Sequence, residues 1–188
     1  MGITIHYQGS INDVSLIDTV TNELQDITEE LNWSDILIDD DKLNIKGILI
    51  LPPKDCEPLS FLFDKSTGVL KHCIILSFDD MGEDHYRYNH VKTQFAPIQV
   101  HITIIKLLKY LKSKYINNIS VTDEGDYWET EDAELLQSKF DFLDEMINVV
   151  AGAFSKFEKI PGESAHSLAD RIERILTEIH ERNKNKHG

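Results

Sequence analysis

Between Leu31 and Ile36 the hydrophobic period of this chain changes from three-and-four to two, so a helix must give way there to strands. Upstream, Ile17, Val20, Leu24, Ile27 and Leu31 fall on one face of a helix that Asn12 or Asp13 caps. Downstream, apolar runs at 36–38, 43–51, 59–63 and 69–78 are separated by Asp39-Asp40-Asp41, by Pro52-Pro53-Lys54-Asp55 and by Asp64-Lys65-Ser66-Thr67-Gly68. Short apolar runs bounded by Asp, Pro and Gly are strands joined by tight turns, which predicts an antiparallel meander. Gly68 closes the third of these turns, where a short hairpin loop needs one residue at positive φ.

Helices dominate the second half. Pro97 suits a first helical residue, and the two interleaved rows Ile98, Ile102, Ile105, Leu108 and Val100, Ile104, Leu107, Leu111 leave only a narrow polar strip, so this helix is expected to be mostly buried. A second long helix carries Leu136, Phe140, Leu143, Ile147, Val150, Phe154 and Phe157. After the breaker Ile160-Pro161-Gly162 a last helix presents the single stripe Leu168, Ile172, Ile175 and Ile179. Short strands are expected at 3–7 and 119–122. The class that follows is α+β: one mostly antiparallel sheet of five to six strands with helices packed on it, and a C-terminal helical hairpin. The strand ending at Phe78, the helix from Pro97 and the strand from Ile119 allow one βαβ crossover. Residues 1–160 are read as a single α+β domain. Residues 161–188 are read as an appended helix that packs on that domain or on a second copy, which would make a homodimer.

Charge limits the partners. The 188 residues hold 33 acids and 19 Lys plus Arg, a formal charge of −14, and the first 50 residues alone carry ten acids against two bases. Such a field repels phosphate backbones and anionic lipid, which excludes a general nucleic-acid or membrane binder and favours basic partners. No apolar run approaches the length of a membrane span, and the first residues lack a signal sequence, so a cytoplasmic location is expected. Cys56 and Cys73 are too few for a disulfide framework and are read as free thiols.

The densest mixture of acids, imidazoles and aromatics lies in two loops, 79–94 and 123–130, which the proposed crossover would bring to the same end of the sheet. The candidate binding residues there are Asp79, Asp80, His85, Tyr86, His90, Asp123, Glu124, Tyr127, Trp128 and Glu129. Asp79, Asp80, His85 and Asp123 have the oxygen and nitrogen donors of a divalent-metal site, which would support a metal-dependent hydrolase. No EF-hand, HExxH or nucleophile-elbow spacing accompanies them, so no cofactor is required and an enzyme is the second choice. His6 and His101 are read as satisfied structural histidines. The preferred reading is an acidic interaction or inhibitor module: aromatic anchors among carboxylates suit a basic protein partner.

Overall fold

The computed structural model describes residues 2–53, 55–78 and 86–155. The chain divides into two compact units, 1–140 and 141–188. In the first unit, β1 (Thr4–Gln8) leads through a single turn at Val14–Leu16 into α1 (Ile17–Glu30), and Asp13 caps that turn by accepting from the Ser15 amide. Ile17, Val20 and Leu24 of the predicted stripe are buried, whereas Ile27 and Leu31 are half-buried at its C-terminal end. Next comes the predicted meander: β2 (Ser34–Asp40), β3 (Ile45–Leu51), β4 (Leu59–Asp64) and the two-residue β5 (Leu70–Lys71), all antiparallel in the order β2-β3-β4-β5. Gly68 takes φ +70°, as the hairpin loop required. Gly47 is needed for a different reason, since its φ is +151° and a Cβ there would lie 2.0 Å from the Phe61 carbonyl oxygen.

The remaining strands form a second sheet. Here β6 (Asn89–Lys92) and β7 (Ser120–Asp123) both pair antiparallel with β1, in the order β6-β1-β7. The α+β class therefore holds, but the strands divide into sheets of three and four in place of one sheet of five to six. Two local causes account for the difference. The run 69–78 does not continue as a strand, because His72 turns the chain: its Nδ1 accepts from the Ile74 amide and caps a 3-10 turn over Cys73–Leu76. And β1 runs past Gln8 to meet the meander at only one bridge, Ser10 to Val69.

The crossover exists with a different first strand. Both β6 and β7 run antiparallel to β1, so they are parallel to each other with β1 between them, and α2 (Ile98–Lys114) connects them. Val91 and Asp123 flank Ile5 on its two sides, which puts the C-terminal ends of β6 and β7 together. The long helix is almost wholly buried along Val100, His101, Ile102, Ile104, Ile105, Leu107, Leu108 and Leu111, as its two apolar faces required. Pro97 precedes its first turn as the cap residue.

Hydrogen bonds tie the sheets. The Tyr7 hydroxyl donates to the Ser60 carbonyl at 2.8 Å and accepts from the Ser60 amide at 3.0 Å, joining β1 to β4 in the buried interior. Burial raises this phenol well above the ordinary tyrosine range, so it stays protonated and can play both roles. A short helix α3 (Tyr127–Thr130) follows β7, and α4 (Ala133–Ser155) begins in the first unit and supplies the described part of the second. The predicted C-terminal hairpin, the domain boundary at 160 and the stripe from Leu168 to Ile179 lie outside the described residues. None of the helices described is long and apolar enough to cross a membrane.

Candidate functional site

The ends of β6 and β7 build a buried polar cluster. Thr93 follows β6, His101 sits one turn into α2, and Asp123 ends β7. The Thr93 hydroxyl is 2.8 Å from His101 Nδ1, and His101 Nε2 lies 3.1 Å and 3.2 Å from the two Asp123 oxygens. The backbone amides of Gly125 and Trp128 also donate to Asp123, at 2.7 Å and 3.0 Å. The Thr93 hydroxyl also donates to the Ile3 carbonyl at 3.3 Å, which ties the cluster to the start of β1. Burial alone would push the Asp123 carboxyl upward, but the imidazole and the two amides outweigh it and hold the group below the usual carboxylate range.

Hydroxyl, imidazole and carboxylate in a row have the composition of a nucleophilic triad, yet all three side chains are buried and His101 sits edge-on to Phe140 with ring centroids 5.9 Å apart. The arrangement works as a clasp between α2 and both parallel strands. Gly125 completes it, because a Cβ there would lie 2.9 Å from His101 Nε2 and 3.0 Å from Asp123 Oδ1. The reading of His101 as a satisfied structural histidine agrees with these contacts.

The other candidates that the structure describes are dispersed. Asp79, Asp80 and His85 lie outside the described residues. Tyr86 is buried in a cluster with Ile45, Leu62 and Ile75, and its hydroxyl donates to the Phe78 carbonyl at 2.7 Å. His90 is exposed on β6 across from His6 and stacks on His72 with ring centroids 4.5 Å apart. Glu124 accepts from the Thr4 amide at 2.8 Å, which extends the β1–β7 pairing. Tyr127 is buried, and Glu129 is exposed. Trp128 is half-buried with Lys109 and Lys112 from α2 over its ring at 5.5 Å and 5.2 Å, so cations of the chain itself occupy the aromatic face. Among the described residues no three His, Cys, Asp or Glu side chains converge to hold a metal ion.

Two surfaces escaped the sequence reading. One is the outer edge of β2, where Ile36 and Leu37 are 46% and 51% exposed. Its signal was present in the acids that flank an apolar pair. The other is an open cavity of about 240 Å³ beside Arg87, a residue within loop 79–94 that was not among the candidates because a lone arginine gives no periodic signal. No family model matches the chain, and no match is found among curated proteins or solved structures.

Proposed function

We propose that this chain is an acidic interaction module that receives a basic, extended segment of a partner protein along the free edge of β2. The observation that carries the reading is the position of β2: seven residues long, outermost in its sheet and, among the described residues, paired only with β3, with Ile36 and Leu37 exposed at its centre. An edge strand offers a row of unpaired backbone donors and acceptors to which another strand can add. Long apolar edges are normally blunted, and here the blunting is entirely acidic: Asp35, Asp39 and Asp40 lie on the strand itself, and Asp18, Asp26, Glu29 and Glu30 on α1, which packs against β2 and β3. Lys46 and Lys65 pair with Asp18, Asp39 and Asp41 without balancing this excess.

The charge selects the occupant. Two copies would bring like charges together, whereas a strand with Lys or Arg at alternate positions would be steered to the edge and held in register. A peptide of alternating Lys and Val is the direct probe. The expected result in a ¹⁵N NMR titration is saturable shifts and added amide protection confined to β2 and its neighbours, weakened by salt. Shifts scattered over all acidic surfaces, with no new protection on β2, would overturn the reading.

A further inference from the structure

The cavity beside Arg87 lies at the end of the three-stranded sheet, where Gln8 of β1 pairs with Ser120 of β7 and the chain runs on through Ser10. Its lining includes Arg87, Gln8, Ser10, Asn118 and Ser120, and no carboxylate is among its lining residues. That is unusual surface for a chain with 33 acids, and Arg87 is the only arginine among the described residues. No described carboxylate pairs with it.

Local hydrogen bonds orient the cavity's donors. The Ser10 amide donates to Asn118 Oδ1 at 3.0 Å, and Asn118 Nδ2 donates to Ser10 Oγ at 2.8 Å. This reciprocal pair uses the Asn118 oxygen and one Ser10 lone pair, and leaves the Ser10 hydroxyl proton and the second Asn118 amide hydrogen to donate elsewhere. Gln8 and Ser120 add an amide and a hydroxyl, both exposed. One residue pair further along the same face, about 7 Å away by strand geometry, His6 stands opposite His90 and Thr122. The face thus continues with donors and imidazoles.

We propose that this cavity binds the oxyanion of a small organic ligand, a phosphate monoester or a carboxylate, with the Arg87 guanidinium as the charged contact, the Ser10, Ser120 and Asn118 donors completing its shell, and the ligand body along His6 and His90. A planar guanidinium beside neutral donors matches such a group in charge and geometry. The inference is independent of the β2 edge. A ¹⁵N NMR titration with inorganic phosphate and, separately, with acetate, each referenced to chloride at equal ionic strength, tests it. The expected result is saturable shifts at the Ser10 and Ser120 amides and the Arg87 Nε, with the ion that saturates first identifying the source of the oxyanion. Arg87→Ala should weaken the binding about tenfold or more, the effect of losing one charge-assisted contact. Asn118→Asp keeps the Ser10 acceptor but puts an anion in the cavity, and should also weaken it. Absence of saturation with both ions, or unchanged binding in both variants, would overturn the proposal.

Discussion

His101 Nε2 and Asp123 Oδ1 lie 3.1 Å apart with neither side chain exposed to solvent. The pair closes the end of the β6–α2–β7 crossover, and its removal should be felt throughout the first unit. Asp123→Asn leaves one oxygen for the contacts that two now make, and His101→Leu leaves a carboxylate buried without its imidazole. Each should lower unfolding free energy by about 3 to 5 kcal/mol, the usual cost of breaking a buried pair from one side. Urea denaturation checks this, and a loss below about 1 kcal/mol would show that the clasp contributes little.

The same carboxyl makes acid stability predictable. Its folded-state pKa is depressed, so its contribution is complete above the unfolded carboxylate value near 3.9 and is lost as pH falls through the lower folded value. Melting temperatures measured downward from pH 6 should fall more steeply in the native chain than in Asp123→Asn.

His72 acts in the opposite pH range. Burial first, and then the neighbouring His90, lower its pKa below the ordinary imidazole value. The unfolded chain therefore takes up the proton more readily, and stability should fall as pH drops through about 6.5, the free imidazole value. His72→Asn retains an acceptor for the Ile74 amide and removes the titration, so its melting curve should be flatter between pH 7.5 and 5. Equal slopes would place the pH dependence elsewhere.

Gly125→Ala introduces a methyl against Leu136 Cδ1 at 2.6 Å as well as against the His101 and Asp123 atoms. Overpacking of this kind costs about 1 to 3 kcal/mol. Because Leu136 lies on α4 and His101 on α2, the variant should also shift the His101 imidazole signals by NMR, which a purely local loss of turn geometry would not.

Burial pushes the Cys56 thiol up to about 12 and raises Cys73 as well. The thiolate is the reactive form, so both residues should resist iodoacetamide at neutral pH and react only when the chain unfolds. Fast alkylation of either thiol in the native protein, read by mass spectrometry, would contradict this.

Much of the meander was legible because its signal is local: β3 and β4 are apolar runs with Asp, Pro or Gly at their ends, and Gly68 announces its own φ. The three-stranded sheet was not. Its strand β6 carries a single aliphatic residue, Val91, among Asn89, His90 and Lys92, so periodicity has nothing to detect. The partner choice of β1 was equally hidden, since pairing between residues more than 80 positions apart leaves no mark on either segment. His72 misled for a chemical reason: it continues an apolar run in sequence while its ring ends the strand in space. Of the candidate loop residues, Asp123 at the end of β7 enters the clasp, a structural role, and its partners there are Thr93 and His101. The open surfaces are the β2 edge, which the sequence did not single out, and the cavity beside Arg87, a residue inside loop 79–94 that was not among the candidates.

The central place of β1 governs the order in which this molecule can assemble. The meander joins neighbours in sequence and can zip up as soon as residue 71 has left the ribosome, whereas β1 must wait for β6 and then for β7, across 115 or so positions of intervening chain. Until Asp123 emerges, the first of these strands has one side unsatisfied, with its Thr4, His6 and Gln8 backbone groups open to any passing strand. Closure by β7 and locking by His101 are thus late events, and variants at the clasp should aggregate during synthesis more than their equilibrium stabilities alone would require.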